Sequence, residues 1–102
     1  MNKQIFIEKR KALREELAQL EERYLNSLFV YNIGDVLLED VEGHGLIRII
    51  VIGGGINDNA EIELYYRPII KNNRPSKTSY KIVLTNGLSL EFVENRPELL
   101  LP

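Results

Sequence analysis

His44 is the only histidine of the chain, and Asp35, Glu39, Asp40 and Glu42 lie within nine residues of it. An imidazole among carboxylates is the composition of a general base or of a metal site. These carboxylates lack the spacing of a calcium loop. No Ser-His-Asp, Cys-His or G-x-S-x-G arrangement accompanies them. The expectation is a solvated turn residue within "EGHGL", with no catalytic residue, no metal ligand and no cofactor.

A second candidate is "VIGGGIND", Val51 to Asp58, where consecutive glycines follow an apolar run. A phosphate loop needs a following helix whose leading amides face the anion. Instead, Ile62, Leu64 and Tyr66 alternate with Glu61, Glu63 and Tyr65, the pattern of a strand. The Gly-Lys-Ser/Thr ending and the G-x-G-x-x-G spacing are both missing. Gly53, Gly54 and Gly55 are therefore expected at the tip of a hairpin, as a flexible or bulged turn.

The third candidate is electrostatic. Between Glu63 and Glu91 there is no acid, whereas Arg67, Lys71, Arg74, Lys77 and Lys81 supply five cations, with Tyr65, Tyr66 and Tyr80 at the edges. Such side chains can hold phosphates while aromatic rings stack on unpaired bases. Against a formal charge of −2 for the whole chain, the plainer reading is an exposed loop whose lysines discourage strand pairing.

These residues sit on a chain of 102 residues, the size of one domain. With 44% hydrophobic and 27% charged residues it has the composition of a folding globular protein. It contains no cysteine, which makes a reducing cytoplasm the expected compartment. Neither a signal-like apolar core nor a membrane-length apolar run is present, so no membrane association is expected.

The period of the apolar residues divides the chain. Residues 1–29 lack glycine and proline, and Phe6, Leu13, Leu17, Leu20 and Tyr24 recur at helical spacing. This predicts an amphipathic helix starting near the N-cap Asn2 and ending at Asn26 to Leu28. Over 30–102 the period becomes two, predicting five strands within "FVYNIGDVLLED", "GLIRIIVI", "AEIELYYRPI", "TSYKIVLT" and "LSLEFVE". Asn86-Gly87 suits a type I′ hairpin turn between the last two, and Ile70 to Ser79 reads as a mobile loop. The expected fold is α+β: a long N-terminal helix followed by a five-stranded antiparallel, barrel-like sheet.

"YNIGDVLLEDVEGHGLIRIIVI" resembles the opening of the small β-barrel modules of Tudor and KOW type, through Ile33, Gly34, Asp35 and Val36, then Gly43 and Gly45 with Ile47 and Ile49. The resemblance covers about 20 residues and implies a binding module for peptide, protein or nucleic acid. The long basic connection between the third and fourth strands departs from that pattern, and no aromatic cage is assignable.

A helix of ~27 residues extends about 40 Å, against about 25 Å for a barrel of the remaining ~72 residues. Part of the apolar stripe must overhang, which points to a homo-oligomer formed through Phe6, Leu13, Leu17, Leu20 and Tyr24. With Leu17 and Tyr24 at heptad position a, a parallel pair would oppose Lys9 to Arg14 and Glu16 to Glu21, whereas an antiparallel pair keeps Arg14 near Glu21. Leu99, Leu100 and Leu101 are expected to dock as a C-terminal tail. The chain reads as a small non-enzymatic interaction module that self-associates and binds a protein or peptide. The alternative is a nucleic-acid-binding accessory protein using residues 67–81.

Overall fold

A computed structural model of the chain describes residues 1–41, 43–84 and 90–102. The Asn2 side chain accepts a hydrogen bond from the Ile5 amide at 2.8 Å and opens helix α1, Lys3–Leu28. The helix closes where Phe29 turns extended and its amide donates to the Leu25 carbonyl at 2.7 Å. No residue of α1 is buried. Its contacts with the rest of the molecule gather in its second half, where Ala18, Glu21, Glu22 and Leu25 border Gly55 and Ile56. The molecule is accordingly elongated, 59 × 33 × 23 Å.

The remainder is an antiparallel sheet curled into a half-barrel. Its strands are β1 (Asp35–Val41), β2 (Gly45–Ile56), β3 (Ile62–Ile70), β4 (Arg74–Pro75), β5 (Tyr80–Leu84) and β6 (Glu91–Asn95). The order is β4-β3-β2-β1-β6, and β5 shares the outer edge of β3 with β4. The fold is thus α+β as expected, with β4 as an additional two-residue strand.

That strand lies inside the segment read as a loop. The segment turns through a short 3-10 element at Lys71–Asn73, with Asn72 and Asn73 at positive φ, and returns to β3. Asparagine tolerates the left-handed region better than most residues, which lets the turn be this tight. The proposed turn at Asn86-Gly87 lies outside the described residues. Among the described residues its flanking strands pair elsewhere, β5 with β3 and β6 with β1.

Alternation along β1, β2 and β3 places Leu37, Ile49, Val51, Leu64 and Tyr66 in one buried cluster, with Phe29, Tyr31 and Ile82 against it. Val36 and Ile50 oppose each other on the other face and are also fully buried. On that face Arg67 pairs with Ile50 and shares a cleft with Leu99 and Leu100 of the C-terminal 3-10 turn, Pro97–Leu100. Leu99 and Leu100 are half-buried, whereas Leu101 remains 71% exposed.

Candidate functional site

The three glycines are not a hairpin tip. All lie inside β2, where Gly53, Gly54 and Gly55 face Tyr65, Leu64 and Glu63 of β3, after a register shift between Val51 and Gly53. The tip is Asn57 to Glu61, where the Asn57 side chain accepts from the amides of Asn59 and Glu61 at 2.9 and 3.0 Å. Glycine is needed in the ladder because rings lie over it. A Cβ on Gly54 would sit 2.7 Å from the Phe29 ring, and one on Gly55 2.5 Å from the Tyr65 hydroxyl. Phe29, the residue that ends the helix, therefore seats α1 on β2 through a position only glycine leaves open.

The Gly34-Asp35 pair is a structural clasp. Gly34 has φ +92°, donates to Val51 O and accepts from Arg96 N, both at 2.8 Å, and leaves no room for a Cβ beside Pro97. Buried Asp35 accepts from the Asn32 amide at 2.9 Å and the Asn95 side chain at 2.7 Å, joining β1 to β6. His44 sits exposed in the β1–β2 turn, at the end of β1 opposite Asp35. Among the described residues no group of three or more His, Cys, Asp or Glu is placed to hold a metal ion.

The basic and aromatic residues of 65–81 are divided rather than gathered. Arg67, Arg74 and Lys77 line one cleft of about 520 Å³, walled by Leu99 and Leu100. The Arg67 Nε is buried there without a hydrogen-bond partner. Tyr65, Tyr80 and Lys81 border a separate open hollow of about 640 Å³. Lys81 is held 3.2 Å from the carboxylate of Glu63, itself buried and accepting from the Tyr65 hydroxyl at 3.4 Å. Lys71 belongs to the 3-10 turn between β3 and β4. Tyr66 points into the core and stacks on Tyr80 at 6.1 Å between centroids.

Sequence reasoning missed the partner of Tyr66. Glu39, on β1, faces its hydroxyl across the curled sheet. Burial first, then the Glu39 charge and its hydrogen bond, push the phenol up to about 12. A phenol held above its ordinary value stabilises the fold fully below pH 10, and that contribution disappears as pH climbs toward 12. The expected loss is about 2 to 3 kcal/mol over that interval. An absorbance titration of tyrosinate should show one of the five phenols ionising late, a phase that Tyr66→Phe removes. A folded protein in which Tyr66→Phe leaves the late-ionising phase in place, or in which no late phase is seen, would contradict the buried Glu39–Tyr66 contact.

The helix presents an exposed apolar stripe. Phe6, Leu13, Leu17, Leu20 and Tyr24 are all exposed, Leu13 by 65% and Leu17 by 55%. Leu13, Leu17, Phe6 and Met1 line an apolar hollow of about 420 Å³ rimmed by Lys9, Arg10 and Arg14, and the Arg10 guanidinium lies 5.0 Å from the Phe6 ring centre. The stripe continues at Leu20 and Tyr24 into a groove of about 520 Å³ against Ile56, Asn57, Asp58 and Ala60. Among the described residues no helix is long and apolar enough to cross a membrane.

No protein-family model, no curated protein and no solved structure matches this chain.

Proposed function

We propose that the chain is a small non-enzymatic interaction module that self-associates through α1 and presents its half-barrel to a protein or peptide partner in the cytoplasm. The observation that carries this reading is the uncovered stripe of α1: 26 residues, none buried, with large apolar side chains on one face. A contiguous exposed apolar surface of this kind marks an interface. Covering what remains exposed of Phe6, Leu13, Leu17, Leu20 and Tyr24 on two copies contributes roughly 1 kcal/mol per side chain. The sum, on the order of 10 kcal/mol, matches the cost of bringing two chains together. The assembly is therefore expected to be reversible. Sedimentation equilibrium across a dilution series should show twice the chain mass at high concentration, falling to the chain mass on dilution. The single-chain mass at every concentration would refute it.

For the half-barrel, the resemblance of Ile33 to Val36 and of Gly43 to Ile49 to Tudor and KOW modules supports a binding role. A second reading, nucleic-acid binding, is favoured by one observation: Arg67, Arg74 and Lys77 line a single cleft, and among the described residues none of them is ion-paired. On that reading, affinity for a single-stranded oligonucleotide falls steeply with salt. Neutralising Arg74 and Lys77 should reduce the slope of log affinity against log salt by about 1 to 2. Absence of binding at low salt would exclude it.

A further inference from the structure

We infer that the occupant of the helix stripe is a second copy of this chain running antiparallel, with Leu17 against Leu20 and Leu13 against Tyr24 of the other copy. This rests on the self-association proposed above and assigns its polarity and register.

The chain's own sheet reaches only the C-terminal end of the stripe, where Leu20 and Tyr24 border Ile56, Asn57, Asp58 and Ala60 and the Tyr24 hydroxyl donates to the Ala60 carbonyl at 3.5 Å. It leaves the hollow of Phe6, Leu13 and Leu17 clear. Ala18, Glu21, Glu22 and Leu25 border Gly55 and Ile56, on average about 120° around the helix from the line of Leu13, Leu17 and Leu20. The charges on α1 are segregated along its length. Lys3, Lys9, Arg10, Lys11 and Arg14 with Glu8 fill the first half, and Glu15, Glu16, Glu21 and Glu22 with Arg23 the second. The first turn carries no acid and the last turn no base. That distribution opposes the dipole of an isolated helix, whose N-terminus favours anions and whose C-terminus favours cations. A lone helix gains nothing from it.

An antiparallel neighbour reverses the balance. In the stated register the core layers pair residues whose numbers sum to 37, and the flanking positions on the two sides of the seam pair at sums of 35 and 39. The flanking pairs become Arg14 with Glu21 and Glu16 with Arg23, each occurring twice by symmetry. Lys9, Arg10 and Lys11 of one copy then run beside residues 26–28 of the other, supplying cations to a helix end that has none of its own. A parallel pair brings Lys9 to Arg14 and Glu16 to Glu21, so both of its charge–charge flanking contacts are repulsive. Both arrangements bury the same leucines, and only charge separates them.

Sedimentation of charge variants of the full chain tests this. Arg14→Glu turns two attractive contacts into repulsive ones and should weaken the dimer about tenfold, and adding Glu21→Arg should restore it to within about twofold. A parallel dimer would instead be tightened by either substitution alone. The absence of native cysteine permits a second measurement. When Leu13→Cys and Tyr24→Cys variants are mixed and oxidised, the disulfide should join unlike variants, because like positions are separated by about 16 Å along the axis. A native chain that is monomeric throughout would overturn both this inference and the self-association it rests on. A dimer in which Arg14→Glu has no effect or tightens, or in which like variants cross-link, would overturn the antiparallel arrangement alone.

Discussion

Replacing Leu37 by alanine should lower the free energy of unfolding by about 3 to 4 kcal/mol, a large share of the ~5 to 15 kcal/mol available to a domain of this size. Leu37 is fully buried in the middle of β1, opposite Ile49, and belongs to the cluster completed by Val51, Leu64 and Tyr66. Truncation leaves a cavity that paired strands on both sides, β2 and β6, keep from collapsing. Denaturant unfolding should show an earlier midpoint at an unchanged slope. The same chemical change at Leu17, 55% exposed, should cost the isolated chain less than about 1 kcal/mol. If Leu37→Ala costs no more than Leu17→Ala, the core does not lie in the curl of the sheet.

The contrast between these leucines was legible in the sequence, because both lie in segments whose apolar residues keep a regular period. The helix stripe follows from spacings of three, four and seven, and β1 to β3 from alternation. The glycine run was not legible. A glycine adds nothing to an alternation pattern, so three in a row look like a break, although strand pairing uses only backbone groups. What keeps β2 going through them is supplied from elsewhere: Tyr65 from the neighbouring strand and Phe29 from the end of the helix. Neither contact has a local signature.

The basic segment teaches a related lesson. Counting cations and tyrosines over 65–81 groups residues that a strand must separate, since Tyr65 and Tyr66 are adjacent in β3 and point to opposite faces. Alternation alone divides them. It does not reveal that Lys81 is engaged by buried Glu63, nor that the cleft around Arg67 is walled by the C-terminal turn. Those depend on strand register and on a contact between distant parts of the chain. The Gly34-Asp35 pair likewise has a local meaning in sequence and a long-range one in structure, where it ties β1 to Asn95, Arg96 and Pro97.

The second large effect concerns assembly rather than folding. Leu17→Glu combined with Leu20→Glu should weaken self-association by more than about a hundredfold and leave the unfolding of the sheet within about 0.5 kcal/mol of the native chain. Both side chains are more than half exposed in the single chain, and glutamate has a helix propensity close to that of leucine, so α1 and its seat on β2 tolerate the change. In the proposed antiparallel dimer the same two positions would form the central layers, Leu17 against Leu20 twice over. Four carboxylates would enter an apolar seam already flanked by Glu16 and Glu21. Neutralising or hydrating them costs several times the apolar contact that is lost. Sedimentation and denaturant unfolding on the same sample separate the two outcomes. If the variant keeps the native dimer mass on dilution, the stripe is not the seam; if it loses the sheet's stability together with the mass, α1 belongs to the fold rather than to the assembly.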